Sequence, residues 1–250
     1  MHHLGQTRST SQPNHALFTP DTFVRAPLPG MRGATAIVHA SPAMGASFTQ
    51  YTAEFEPGGQ LGPGTSQRFV YVLEGELIVT VDARPHTLVK DGYAYLPTGR
   101  EPVASMSAAR AVVIEKIYRP LPGTEPPAPL IANEEDMPGE PLIGDPWLTV
   151  RKLLPDDPAF DFAVNTMEYL PGATLPMVEI HVMEHGLLML EGGGIYRLGD
   201  LWYPVTAGDF IWMGPYCPQW FGSLGKTPAK YIIYKDWNRH PLLDQVRVTE

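Results

Sequence analysis

Cysteine is all but missing from this chain: Cys217 is the single thiol in 250 residues. That excludes an intrachain disulfide framework and a cysteine-rich zinc site, and a reducing cytoplasm suits such a composition. Long apolar runs are also missing. No stretch approaches the roughly 18 residues that a membrane-spanning helix requires, and the opening MHHLGQTRSTSQPNH has no apolar signal core. Basic charge is scarce, with 18 Lys and Arg against 27 Asp and Glu, a net charge of −9, and the basic residues are scattered. Nucleic acid and anionic membranes are therefore poor partners. Charged residues of both signs reach only 18%, which argues against disorder.

What is present points to a β protein. Apolar residues make up 44% of the chain, enough for a substantial core, and 27 prolines and 24 glycines occur without a collagen period. So much turn chemistry implies many short strands joined by loops. The apolar runs are short, rich in Val, Ile, Tyr and Phe, and none reaches a normal helix length: 69-FVYVL-73, 77-LIVTV-81, 93-YAYLP-97, 187-LLML-190, 210-FIWM-213 and 231-YIIY-234.

The two halves repeat one another. AEFEPGG from residue 53 matches MEYLPGA from 167, and RFVYVLEGELIVTV matches HGLLMLEGGGIYRL. Pro57-Gly58 aligns with Pro171-Gly172, and Glu74-Gly75 with Glu191-Gly192, so the repeat is a domain length. The expected fold is all-β: two tandem jelly-roll barrels in one chain. The expected division is a flexible arm over residues 1–15, a first barrel over 16–120, a proline-rich acidic linker over 121–145, and a second barrel over 146–250.

The chemistry concentrates in 178-VEIHVMEHG-186. His181 to His185 spells H-x-x-E-H, a zinc-protease signature when carried on a helix. Pro171, Gly172 and Pro176 upstream and Gly186 immediately after make such a helix untenable. Read as extended chain, Glu179 and His181 share one face, with Val178, Ile180 and Val182 on the other, and His185 stands just before the chain turns back. Three common ligand types at spacings of two and four, in an apolar setting, suit a metal site better than satisfied histidines and exposed carboxylates.

This arrangement resembles the first motif of the cupin family, P-G, then H-x-H-x3-E, then six residues and a glycine. Pro171-Gly172 opens it and Gly192 closes it, with the ligand positions on Glu179, His181 and His185. Glu and His are exchanged at the first and third positions relative to the family pattern. The second cupin motif, counted from Gly208, places its ligand position on Gln219, although its internal P-x-G is altered to Gly214-Pro215-Tyr216. The same count on the first half falls on Gly62, Gly64, Arg68 and Pro102, none a good ligand. The first barrel is thus expected to be metal-free, with His39 and His86 surface or core residues. Two imidazoles, a carboxylate and an amide oxygen suit Mn(II) or Fe(II), with Zn(II) or Ni(II) possible. Cys217 reads as a small packed residue.

The second half resembles, more narrowly, the (S)-ureidoglycine aminohydrolase family of bicupin enzymes. The similarity runs through 185-HGLLMLEGGGIYRLGDLWYPVTAGDFIWMGPYCPQW-220 and 231-YIIYKDWNRHPL-242. It extends back through 153-LLPDDPAFDFAVNTMEYLPG-172 into the first half, at ALFTPDTFV, SPAMGASF and RFVYVLEGEL. The resemblance implies Mn(II) held by Glu179, His181, His185 and Gln219, substrate contacts from Tyr231, Lys235 and Tyr196, and a homo-oligomer. It implies hydrolysis of (S)-2-ureidoglycine to (S)-ureidoglycolate and ammonia, a step of purine catabolism. In 231-YIIYK-235, Tyr231 and Lys235 fall on one face of a strand, with Tyr234 on the other. Trp202, Trp212 and Trp220 read as core and interface anchors. Two other readings remain open at this point: another cupin enzyme, such as an Fe(II) dioxygenase or an isomerase of a small acid, and a bicupin that binds a small molecule without turning it over.

Overall fold

The structure is a computed structural model and describes residues 6–239. The chain is nearly all β and divides into two units. One is Phe23–Met137. The other combines Pro138 onward with the N-terminal residues up to Thr22.

In the first unit the twelve-residue strand Thr49–Gln60 organises the sheet. Residues 49–55 of it pair with Ala109–Lys116, and its last residue, Gln60, meets Ala104 of another strand. The chain changes direction at Pro57-Gly58, where Gly58 adopts a left-handed φ of 79° that a proline-led turn demands. One strand therefore serves both walls of the barrel. Alternation does the rest: Val70 and Val72, Leu77 and Val79, and Ala111 and Val113 point inward and form a single apolar cluster.

The second unit has an eight-stranded and a three-stranded sheet. The centre of the larger sheet is His185–Glu191 and Ala229–Asp236, flanked by Phe210–Met213 and Phe162–Tyr169. The smaller sheet is Leu201–Thr206, Gly193–Leu198 and Gln219–Ser223. Leu187, Met189, Tyr196, Phe221, Tyr231 and Ile233 fill the interior between them.

Three expectations are corrected. The N-terminal arm is strand from Thr10: Thr10–Gln12 pairs with His15–Phe18, which pairs in turn with Phe210–Met213. The arm covers an edge that would otherwise expose unpaired backbone, and buries Ala16 and Leu17. Residues 16–22 accordingly belong with the second unit rather than the first. The proline-rich segment is not purely a linker. Leu130–Asn133 pairs with Gly92–Leu96 of the first unit, and Glu140–Leu142 pairs with Asp145–Lys152 of the second. Residues 1–5 of the expected arm, and the end of the second barrel from 240, lie outside the described residues.

The repeat has a structural signature at its closing glycines. Gly75 and Gly192 both have positive φ, 73° and 62°, and at each a Cβ would run into a backbone carbonyl, that of Ala108 or Pro228. Each neighbour is a backbone atom rather than the end of a flexible side chain. Gly192→Ala is expected to cost about 1–3 kcal/mol of stability, read as a fall in the thermal unfolding midpoint, with the same result for Gly75→Ala.

Candidate metal centre and substrate cavity

A cavity of about 170 Å³ opens in the second unit. All seven site residues expected from the sequence line it: Glu179, His181, His185, Tyr196, Gln219, Tyr231 and Lys235. They come from four separate stretches, and strand register explains how they meet. His185 and Lys235 are direct cross-strand partners, so their side chains rise from the same face as neighbours. Two residues back along the second strand is Ile233, and two further is Tyr231, both inward. Glu179 and Gln219 exchange both backbone hydrogen bonds at 2.9 Å, which places their side chains side by side.

The segment carrying Glu179 and His181 is not the continuous strand that alternation suggests. Only isolated bridges occur, Thr174 with Gly222 and Glu179 with Gln219, and the chain bends at Val182. Its pattern is nevertheless extended where it matters. Val178 and Ile180 are exposed, while Glu179 and His181 turn to the cavity. The bend lets His185 enter the next strand with its ring against that of His181, centroids 4.7 Å apart.

The donor atoms converge on His181. Its Nε2 lies 3.1 Å from His185 Nε2, 2.7 Å from the Gln219 amide nitrogen and 4.0 Å from Glu179 Oε2. Two imidazole nitrogens bound to one first-row metal at ~2.0–2.1 Å would be about 2.9–3.4 Å apart, so the histidine pair fits a shared ion. His185 Nδ1 lies 3.3 Å from the Tyr234 carbonyl. Donation there places the Nε2 lone pair toward the cavity, the usual arrangement of a ligating histidine. His181 Nδ1 has no partner among the described residues. Glu179 is the outlying member. Among the described residues no three His, Cys, Asp or Glu side chains come together closely enough to hold a metal alone; the Gln219 amide is the further candidate donor beside His181. A half-turn of that amide presents its oxygen in place of its nitrogen.

Electrostatics follow from burial. His185 is held well below the ordinary imidazole range, first by burial and then by the nearby His181 and Lys235, which keeps its lone pair free at neutral pH. The Lys235 ammonium is pushed below its usual value by burial and by Lys152, with Asp156 and Glu179 acting against this. Its Nζ lies 4.4 Å from the centroid of the Trp237 ring, a cation–π contact. Burial raises the phenols of Tyr169, Tyr196 and Tyr231 well above their usual range, so all three remain donors. Tyr231 and Tyr169 share a hydrogen bond of 2.8 Å, and Tyr196 donates to Gln219 Oε1 at 3.4 Å.

Glu184, the glutamate of H-x-x-E-H, takes no part in the cavity lining. It is buried and accepts a 2.7 Å bond from the Trp212 indole. Glu184→Ala should therefore lower stability by about 1–3 kcal/mol by orphaning that donor and leave bound metal unchanged, checked by a thermal melt alongside metal analysis. Trp212 is a core residue, as expected, whereas Trp202 is exposed and stacks edge-on against Trp220 at 5.7 Å. Cys217 is buried in the core, and His39 is buried and bonded to Thr52.

Sequence reading missed Asn165. It is a buried polar residue on the inward face of Phe162–Tyr169, beside Met167, and it also lines the cavity. The signal lies in the alternation of FAVNTMEY, where Ala163, Asn165, Met167 and Tyr169 share a face and one of them is polar.

An (S)-ureidoglycine aminohydrolase of Arabidopsis thaliana is 42% identical over 95% of this chain and 80% of its own length. The chain belongs to the (S)-ureidoglycine aminohydrolase family. The enzyme of that name from Escherichia coli K12 is 32% identical over 90% of this chain and 89% of its own. The crystal structure of a putative glyoxylate-induced protein from Pseudomonas aeruginosa superposes with a TM-score of 0.86 at 31% identity, covering 94% of this chain and 92% of that one. The EutQ-like cupin domain family matches residues 43–118, within the first unit. A nearly all-β chain in two units, the first matching a cupin family, is consistent with the expected two-barrel fold. Among the described residues no helix is long and apolar enough to cross a membrane.

Proposed function

We propose that this enzyme hydrolyses (S)-2-ureidoglycine to (S)-ureidoglycolate and ammonia in the second-unit cavity, as a step of purine catabolism. The observation that carries the reading is the convergence of seven side chains from four stretches on one 170 Å³ space, in a chain of this family. Glu179, His181, His185 and Gln219 would hold a divalent metal, Mn(II) by resemblance to the family. When bound, that ion supplies Lewis acidity and fixes the orientation of the substrate carboxylate or amine.

The remaining work falls to side chains. Lys235 pairs with the substrate carboxylate and, with its lowered pKa, exchanges a proton more readily than a surface lysine. It can thus supply the proton that the leaving amine needs. Glu179 takes a proton from the attacking water, whose oxygen forms the new bond to carbon as the bond to the amine nitrogen breaks. Tyr231 and Tyr196, whose phenols burial raises above their usual range, donate to substrate oxygens. The Asn165 amide offers both a donor and an acceptor to the ureido group. Asn165→Leu is expected to raise KM about 10-fold or more, with a smaller change in kcat, if that amide reads the ureido end. Steady-state ammonia release checks it.

The decisive experiment is ammonia release from freshly generated (S)-ureidoglycine by metal-stripped protein, with and without added Mn(II), against the enzyme-free rate. Mn-dependent acceleration with only (S)-ureidoglycolate formed supports the proposal. No acceleration with any divalent ion, or oxygen uptake with Fe(II), overturns it.

A further inference from the structure

The first unit has a cavity of its own, about 240 Å³, at the position corresponding to the metal centre. Counting seven residues back from the closing glycine gives His185 before Gly192 and Arg68 before Gly75. Each then faces a cross-strand partner: His185 faces Lys235, and Arg68 faces Glu115. The first unit has kept the layout and changed the chemistry. A guanidinium stands where a metal ligand stands in the other copy, and a carboxylate stands where the lysine does. The other ligand positions, Gly62 and Gly64, have no side chains, and that absence leaves room. A Cβ at Gly64 would lie 3.3 Å from Arg68 Nη2.

The Arg68–Glu115 pair is built lopsidedly. Arg68 is only 3% exposed. Its Nε and Nη2 contact Glu115 Oε1 at 2.7 and 2.6 Å, and Nη2 also reaches the Gly62 carbonyl at 2.9 Å. The Tyr51 hydroxyl donates to the same Oε1 at 3.2 Å. Arg68 Nη1 has no partner among the described residues, and Glu115 Oε2 receives none of these bonds. A buried guanidinium nitrogen left unpaired is costly. The pair therefore keeps one donor and one acceptor in reserve. Arg68 and Glu115 both line the cavity, as do the exposed Pro63 and Thr65, and the spare Nη1 is itself buried, so a ligand meets it only as the guanidinium turns toward the cavity.

We propose that this first-unit cavity is a second small-molecule site, selective for a planar amide or ureido group. The carbonyl oxygen of such a group accepts from Arg68, and its N–H donates to Glu115. Glu115 decides the class. It already neutralises Arg68, so a plain carboxylate would gain one hydrogen bond and meet a like charge. A ureido group satisfies both members. The inference does not rest on the reaction assigned to the second unit.

The test uses two probes of equal heavy-atom count, N-carbamoylglycine and succinate, against full-length protein carrying methyl-13C methionine. Met31 lines the first-unit cavity, and Met167 and Met183 line the metal-site cavity. Their methyl resonances, assigned by single Met→Leu replacements, therefore report the two sites separately. N-carbamoylglycine should shift Met31 saturably and succinate should not. Glu115→Gln preserves the shape and an acceptor for Arg68 while putting an N–H₂ where Oε2 was. It should weaken N-carbamoylglycine at Met31 by 10-fold or more and let succinate bind. Arg68→Met/Glu115→Gln, which leaves no unpaired buried charge, should abolish both responses. Shifts confined to Met167 and Met183, or a Met31 response to succinate equal to that of N-carbamoylglycine in the wild type, would overturn the proposal.

Discussion

Lys235→Met is expected to lower kcat for ammonia release by about 10²–10⁴-fold, the range that a positioned proton-transfer group contributes, while the protein still binds its metal. The reasoning is geometric. Lys235 is the cross-strand partner of His185 and lines the cavity, yet it is not one of the converging donor atoms. Methionine matches its length and apolar stem, so the barrel should keep its packing. A pH profile gives the second readout. In the proposed mechanism the lysine acts as the ammonium, and burial holds its pKa below the usual 10.5. The wild-type rate should therefore fall as pH rises through a value below 10.5, and that basic limb should vanish in Lys235→Met. Wild-type turnover in this variant would mean that the site is wrongly assigned, even with the fold right.

Glu179→Gln is expected to lose bound metal and activity together. The substitution is isosteric and keeps the backbone pair with Gln219, but it removes the only carboxylate among the four donors. A neutral set of two imidazoles and two amides is a poor host for a hard divalent ion. Weakening of metal binding by at least 10–100-fold is anticipated, the range seen when even supporting residues of metal sites are lost. His181→Ala should behave alike, since His181 Nε2 is the atom on which the other donors converge. Metal content after gel filtration measures the first effect and ammonia release the second. A Glu179→Gln protein that retained stoichiometric Mn(II) without turnover would reassign Glu179 from ligand to base alone.

Much of this was legible in the order of residues, because barrels are written in local rules. Period-two alternation in 69-FVYVL-73 and 77-LIVTV-81 named inward faces that the structure packs into one cluster. The duplicated glycines Gly75 and Gly192 marked the same strained turn twice. Pro171, Gly172 and Pro176 removed the helical reading of H-x-x-E-H, and the segment holds no helix. The spacing of the cupin-like motifs singled out Glu179, His181, His185 and Gln219, the family resemblance added Tyr196, Tyr231 and Lys235, and all seven line one cavity.

Other features depend on pairings between distant residues, which no local pattern encodes. The N-terminal strand looked like a loose arm because its partner, Phe210–Met213, lies nearly two hundred residues away. Asn165 looked like one polar residue in an apolar strand until register set it into the cavity. Arg68 counted only as a failed ligand in sequence. Its unpaired nitrogen and its lopsided contact with Glu115 exist because two strands bring residues 47 positions apart into register. The sequence by itself determined the strands and their inward faces, since these follow from propensity and period, and its motif spacing marked the candidate ligands. Only the tertiary structure decided which edges are covered and which polar atoms stay unpaired, since hydrogen-bond satisfaction is a property of atoms brought together by the fold.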